Sequence, residues 1–90
     1  MSVTTITQHR VADYEAWRVV YDGFASVQDA AGVTHKSVHR SVDDPNNVLV
    51  VHCFATVEEA DAFMNGSEIR EAMQKAGVEG PPRIEVYEDA

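Results

Sequence analysis

The sequence predicts an α+β domain of βαββαβ order, with two helical segments on one face of a four-stranded sheet. β-branched residues are concentrated in residues 3–11 and again in residues 48–55, which is typical of strands. Between residues 14 and 27, aromatic and apolar residues recur at the spacing of one helix face. A capping box, Thr56–Glu59, opens a second helix directly after the most apolar segment.

The first half of the chain is expected to form a strand, a helix and a second strand. Residues 3–11 form the first strand, and Asp13 is the expected N-cap of the helix, because its carboxylate can accept a hydrogen bond from a free amide of the first turn. The helix is expected to reach about Ala31, where Gly32 ends it. The second strand is expected over about residues 33–42.

The second half begins with a hairpin. Residues 43–47, Asp-Asp-Pro-Asn-Asn, are rich in turn formers and lead into the third strand, residues 48–55. The helix opened by Thr56 is expected to break at Gly66.

The remaining elements are shorter. Ser67 is expected to cap a short helix that ends at Gly77. Residues 80–82, Gly-Pro-Pro, are expected to be a rigid connector, and residues 83–87 the closing strand.

These elements predict a ferredoxin-like split βαβ sheet with strand order 4-1-3-2 and antiparallel neighbours, because crossovers are right-handed. The length of 90 residues leaves room for one domain, residues 1–90. Helices can cover only one face of such a sheet. A second copy of the chain is the simplest cover for the other face, so we expect a homodimer.

Side-chain alternation sorts the strand residues into two faces. An apolar set is expected at the dimer interface: Ile6, Val38, Val42, Leu49, Val51, Cys53, Ile84 and Val86. A mixed polar and aromatic set is expected beneath the helices, around a pocket for a small organic molecule: Thr5, Thr7, His9, His35, Ser37, His39, His52, Phe54, Arg83, Glu85 and Tyr87. A turn centred on residues 44–46 would place His39 nearly opposite His52.

Charge and composition argue against several classes of partner. The net charge is −8, and the seven basic residues are scattered, so neither nucleic-acid binding nor membrane docking is expected. The start of the chain does not resemble a signal peptide, no apolar run is long enough to span a membrane, and Cys53 is the only cysteine. We therefore expect a cytoplasmic protein.

No metal is expected, because the histidines and carboxylates of the sequence do not show the spacing that is typical of metal ligands.

Several segments together resemble the dimeric α+β barrel superfamily, and within it the antibiotic-biosynthesis-monooxygenase-like and small polyketide-cyclase-like proteins. They are Val11-Ala12-Asp13-Tyr14 through Trp17 to Tyr21-Asp22, Arg40 through Asp43-Asp44-Pro45, Phe54 through the capping box to Phe63, and Ala76-Gly77-Val78 ahead of Pro81.

The resemblance implies a homodimer in which each subunit has a pocket between sheet and helices. It also implies cofactor-independent oxygenation of polyphenolic or quinone-like substrates, or polyketide cyclisation. His52 and Phe54 fall where several oxygenases of the family carry Glu-x-Trp on the third strand. The Asn and His that haem-degrading members use have no counterpart here, so neither haem nor another cofactor is expected.

The histidines have two interpretations. His39 and His52 are candidates for a catalytic acid–base pair, because imidazole titrates near neutral pH. Alternatively, they are ordinary strand residues. The expected substrate-binding residues are Trp17, Tyr21, Phe24, Phe54, Phe63 and His9. The alternative for Trp17 and Tyr21 is core packing, which does not exclude that they also line the pocket.

Two functional hypotheses follow. The first is a cofactor-independent monooxygenase or cyclase that acts on a flat aromatic or polyketide-like molecule. The second is a non-catalytic protein of the same fold that binds a ligand or serves as a dimerising scaffold, because a fold does not fix a function.

Overall fold

The computed structural model describes residues 2–90 and contains four strands and four helices; Met1 lies outside the described residues. In chain order they are β1 (Val3–Val11), α1 (Tyr14–Gly23), α2 (Ala25–Ala31), β2 (Val33–Arg40), β3 (Asn47–Phe54), α3 (Val57–Met64), α4 (Ser67–Lys75) and β4 (Val78–Glu88). The four strands form one sheet of order β2-β3-β1-β4 with antiparallel neighbours. The predicted ferredoxin-like α+β fold and strand order are confirmed.

The first predicted helix is divided in two. Asp13 caps α1 as expected, accepting a hydrogen bond from the backbone amide of Glu15 at 3.0 Å. The prediction of one unbroken helix is wrong, because α1 ends at Gly23 and α2 begins after Phe24, whose backbone is not helical (φ −92°, ψ 2°). Glycine is a poor helix former and makes this break inexpensive. Gly32 ends α2 in the left-handed conformation, as predicted.

The second helical segment breaks where the sequence predicts. Thr56 caps α3, its hydroxyl oxygen accepting a hydrogen bond from the Glu59 amide at 3.2 Å. The expectation that Ser67 caps α4 is wrong, since Gly66 occupies the cap position and Ser67 is the first helical residue. A β carbon at Gly66 would lie only 3.3 Å from the carbonyl oxygen of Ala62, so glycine suits this close turn.

The predicted connector at residues 80–82 belongs to β4. Gln8 of β1 pairs with Arg83, whereas Arg10 pairs with Glu79, so residues 80–82 bulge opposite a single β1 residue. Proline lacks an amide hydrogen and is tolerated in an edge strand at such a bulge. The closing strand is consequently longer than predicted.

Pairing register decides which side chains lie beneath the helices. On the two central strands the prediction is correct: Thr5, Thr7, His9, His52 and Phe54 are all buried there. Directly paired residues share a face, so the edge-strand partners of these residues can be identified from the register.

Both edge strands are inverted relative to the prediction. Lys36 pairs with His52 and Val38 with Val50, which places these β2 residues on the helix-covered face. Residues on the opposite, open face are His35, Ser37 and His39 of β2 and Arg83, Glu85 and Tyr87 of β4. Ile84 and Val86 pair with Thr7 and Thr5 and share their face, and Val42 lies beyond β2, fully exposed. For β2 the cause is the assumed hairpin turn, which places His39 nearly opposite His52, whereas His39 pairs with Leu49. A shift of three residues, an odd number, exchanges the faces of the strand.

Two apolar clusters lie between the sheet and the helices. One contains Val11, Trp17, Val48, Val50 and Ala76, and the other contains Val3, Phe54, Ala60 and Phe63. Along β1 and β3 the residues that separate these clusters are polar and buried: Thr5, Thr7, His9 and His52. A buried polar band across a small core needs hydrogen-bond partners, and so it is the natural place to look for a site.

Candidate functional site

A cavity of about 60 Å³ lies over this polar band, between the sheet and the helices. Most of its lining is apolar, with a few polar side chains from both layers. Of the residues predicted to form the site, it brings together His9, Trp17, Tyr21, Phe24, His52 and Phe63.

His52 is the central polar group of the cavity. Its Nε2 lies 3.0 Å from the hydroxyl oxygen of Tyr21, and the two rings are nearly parallel, with an interplanar angle of 16°. Burial, together with the positive charge of Lys36 on the paired strand, lowers the pKa of His52 to about 4. The imidazole is therefore neutral at pH 7, with one nitrogen that accepts and one that donates.

His9 is buried without hydrogen-bond partners. Its side chain is 5% exposed, and neither ring nitrogen has a partner among residues 2–90. Burial lowers the pKa of His9, which keeps this ring neutral as well. The ring packs against Trp17, with 5.7 Å between centroids. An unpaired buried imidazole is costly unless a bound molecule or water supplies the missing partner.

The aromatic residues of α1 stack on one another. Trp17 lies 5.8 Å from Tyr14 and 4.9 Å from Tyr21, measured between ring centroids, and both pairs are stacked. Tyr21 in turn stacks on His52. The flat faces of Trp17 and Tyr21 are thus largely covered by protein, so a ligand in the cavity would meet mainly their edges.

Two of the predicted site residues lie outside the cavity. Phe54 is completely buried in the apolar cluster with Val3 and Ala60, and its ring packs against Phe63. His39 lies on the open face, where it pairs with Leu49 and its Nε2 is 2.9 Å from the hydroxyl of Ser37. The expected proximity of His39 and His52 is therefore wrong, since the sheet separates them.

Two polar residues near the cavity were missed. Gln28 of α2 is 1% exposed and accepts a hydrogen bond from Lys36 at 2.9 Å. Gln28 follows Tyr21 by seven residues and Phe24 by four, so in the single helix that the sequence predicts all three share one face, and this spacing could have revealed Gln28. Lys36 could not be found without the register of β2.

An open groove of about 400 Å³ adjoins the cavity, between α2 and the α3–α4 segment. Phe24, Phe63 and Ile69 line both spaces and so form the wall that separates them. The cavity is below the roughly 300 Å³ typical of small-molecule sites. Movement of these three side chains would join the two spaces and make room for a ring-sized ligand.

No metal centre is evident in the part of the chain that the structure describes. Within residues 2–90, no three His, Cys, Asp or Glu side chains converge in an arrangement that would hold a metal ion.

Cys53, the free thiol, is half-buried on the open face and not in the cavity. No helix within residues 2–90 has the length and apolar character needed to cross a membrane.

The known proteins to which this chain is similar are proteins of solved structure. No protein-family model matches the chain, and no curated protein matches it. A proposed antibiotic biosynthesis monooxygenase of Bordetella bronchiseptica has a TM-score of 0.82 at 16% identity, over 99% of this chain and 97% of that one. A similar protein of Caulobacter crescentus has a TM-score of 0.80 at 16% identity, over 99% and 90% of the two chains.

A third structure has a more specific description. SnoaB, a cofactor-independent oxygenase of Streptomyces nogalater, has a TM-score of 0.81 at 11% identity, over 99% of this chain and 93% of that one. At such identities the likeness establishes the fold and not the activity. The chain shares its ferredoxin-like α+β fold with these antibiotic-biosynthesis-monooxygenase-like proteins, and the similarity in fold that its sequence predicts is confirmed.

Proposed function

We propose that the protein is an enzyme that acts without a bound cofactor on a small, flat, uncharged aromatic or polyketide-like molecule, as a monooxygenase or a cyclase. One observation carries the proposal: two buried neutral imidazoles, His9 and His52, meet in a mostly apolar cavity, and His9 has no partner among residues 2–90. Such a cavity favours an apolar molecule with one or two hydrogen-bonding groups. The similarity in fold to SnoaB supports the same reaction class.

In this proposal His52 accepts a proton from a substrate hydroxyl or activated methylene. The resulting anion is electron-rich and can react with O₂ or with a carbonyl carbon of the same molecule. Oxidation of a methylene to a carbonyl by one O₂ releases one water, so no added reductant is needed. A pKa of about 4 makes free His52 a weak base, but a substrate anion beside the imidazolium would raise it.

The neutral hydrogen-bonding groups select the ligand. Tyr21 can donate to or accept from a substrate oxygen, and His9 offers one donor and one acceptor. The residues that line the cavity carry no charge, and the positive charge of Lys36 lies next to them, so burying a cationic ligand there would cost roughly several kcal/mol in desolvation and repulsion. We therefore expect phenols, anthrones and quinones to bind, and cationic amines to bind poorly.

The test of the proposal is oxygen uptake with a panel of anthrones and naphthols, with ¹⁸O₂ incorporation followed by mass spectrometry. Cyclisation is tested on the same panel extended to linear polyketide mimics. Protein-dependent product formation would support the enzyme. Saturable binding without any product would favour the second candidate, a non-catalytic ligand-binding protein.

The second candidate has its own support in the structure. The cavity is only about 60 Å³, and Trp17 and Tyr21 pack on each other as core residues do. A protein that only binds a small molecule would need no catalytic base. The cytoplasmic location expected from the sequence stays a prediction for either candidate.

We further propose that the functional unit is a homodimer joined through the open face of the sheet. Ile6, Leu49 and Val51 form a half-buried apolar strip there, on the two central strands. Contiguous apolar surface on a small domain marks an interaction site. A second copy of the sheet presents the same strip, as a two-fold interface requires.

The open-face dimer predicts that Val51→Glu yields a monomer, because a buried unpaired carboxylate at the interface is strongly unfavourable. Val42→Glu is the matched control, since Val42 is fully exposed beyond β2. Light scattering coupled to size-exclusion chromatography measures both. A wild-type monomer, or a Val51→Glu protein that remains dimeric, would rule out this interface.

A further inference from the structure

Among the helices, α4 is held least firmly. Within residues 2–90, each of the other three helices has at least one buried side chain, whereas α4 has none. Tyr21 also ties α1 to the sheet through its hydrogen bond with His52. Gln28 does the same for α2 through its bond with Lys36. In the described part of the chain, no side-chain hydrogen bond or ion pair joins α4 to the sheet. A segment with few buried contacts is the part of a fold that opens at the lowest free-energy cost.

The same helix covers the cavity. Its inward face is formed by Ile69, Ala72 and Met73, which all line the cavity and are only half-buried. Because about 60 Å³ beside them is unfilled, these side chains lack part of the packing that would hold the helix down. Ile69 also belongs to the wall between the cavity and the groove. Outward movement of α4 would therefore open the cavity and join it to the groove.

A glycine lies at each end of α4. Gly66 precedes its first turn without a side-chain cap, and Gly77 follows its last turn with φ +78°, a conformation that other residues rarely adopt. The carbonyl oxygen of Gly77 accepts a hydrogen bond from the backbone amide of Ala12 at 3.0 Å, which attaches this end of the segment to the residues that follow β1. Residues at the ends of an element are the usual hinges of a lid, because they absorb the changes in φ and ψ.

We propose that α4 is a lid over the cavity: it swings outward as one body about Gly66 and Gly77, and it closes again over a bound molecule. The opening is a property of the free protein, and only the nature of the bound molecule rests on the proposed function. The lid explains how a cavity of about 60 Å³ admits a ring-sized ligand, because opening adds the space of the groove.

The test is the rate at which DTNB, an aromatic disulfide too large for the closed cavity, labels a cysteine placed beneath the lid. The cysteine is introduced as Thr7→Cys, at a buried residue that lines the cavity, in the full chain with Cys53→Ser. Val50→Cys provides a second position beneath the lid.

Thr5→Cys is the matched control, since Thr5 is buried on the same face of β1 but does not line the cavity. Labelling at residue 5 requires the sheet to unfold, whereas labelling at residue 7 requires only the lid to open. We expect Thr7→Cys to react at least about 100-fold faster, and its rate to depend far less on low concentrations of urea, because a lid exposes less surface than unfolding does.

A ligand titration separates this proposal from the proposed function. Saturating 1-naphthol should slow the labelling of Thr7→Cys, because a molecule in the cavity favours the closed lid and covers the thiol. If the lid opens as expected but 1-naphthol has no effect, the proposed ligand is wrong and the lid is not.

Two further variants, made on the Thr7→Cys protein, locate the moving element. Met73→Ala removes apolar contact from the inward face of α4 and should raise the labelling rate by about tenfold. Glu71→Gln alters the exposed, outward face of the same helix and should leave the rate unchanged. Equal rates and equal urea dependence at residues 5 and 7, or a rate that Met73→Ala does not change, would overturn the proposal.

Discussion

Replacing His52 with glutamine is expected to lower substrate turnover by about 10²–10⁴-fold, the usual contribution of a general base. Glutamine places a hydrogen-bonding atom near the position of Nε2 and can still meet Tyr21, but it cannot accept a proton at neutral pH. The protein should remain folded, because the bond to Tyr21 is preserved. The measurement is the initial rate of product formation on whichever substrate the wild type converts.

His39→Gln is the matched control for this variant. It is the same substitution on a histidine of the opposite face of the sheet, at an exposed position beside Ser37. Its rate should equal that of the wild type within error. A loss in His39→Gln without a loss in His52→Gln would instead indicate that the open face carries the chemistry, and the cavity assignment would be wrong.

The stability of the protein is expected to fall as the pH is lowered from about 6.5 to about 4. The folded state holds the pKa of His52 at about 4, below its ordinary value of 6.5. In this interval the unfolded chain binds a proton that the folded chain does not, so unfolding becomes more favourable as pH falls. The shift corresponds to roughly 3 kcal/mol lost over the interval. The lowered pKa of His9 acts in the same direction.

Urea unfolding at several pH values, at one fixed protein concentration, measures this loss. His52→Gln removes the titrating group, so its free energy of unfolding should depend less steeply on pH between 6.5 and 4. An identical pH dependence in the two proteins would show that His52 is not held neutral by the fold.

The fold was predictable because its strongest signals are local. Strict alternation along residues 3–11 and the caps Asp13 and Thr56 each specify an element without knowledge of its neighbours. The break after Gly23 was not predictable in the same way. Aromatic and apolar spacing continues across it, and the break is seen only in the non-helical backbone of Phe24.

The candidate site was predictable only where it lies on the central strands and helices. His9 and His52 lie on β1 and β3, the central strands. Side chains alternate regularly between the two faces along both strands, so the side of the sheet on which each residue lies could be predicted. His39 and Lys36 exchange faces with a change of one residue in register, which is set by the geometry of the 41–46 turn and not by the pattern of β2. Gln28 was missed although its spacing from Tyr21 and Phe24 placed it on the inward helix face, because its partner Lys36 could not be identified without the register of β2.

The central claim is that the helix-covered cavity, and not the open face, binds a small uncharged aromatic molecule. The four histidines provide an internal comparison, since His9 and His52 line the cavity whereas His35 and His39 lie on the other face. The measurement is a titration with 1-naphthol, monitored through the imidazole resonances of all four histidines. We expect saturable shifts at His9 and His52 and none at His35 or His39. Shifts confined to His35 and His39, or no saturable shift at any histidine, would contradict the claim.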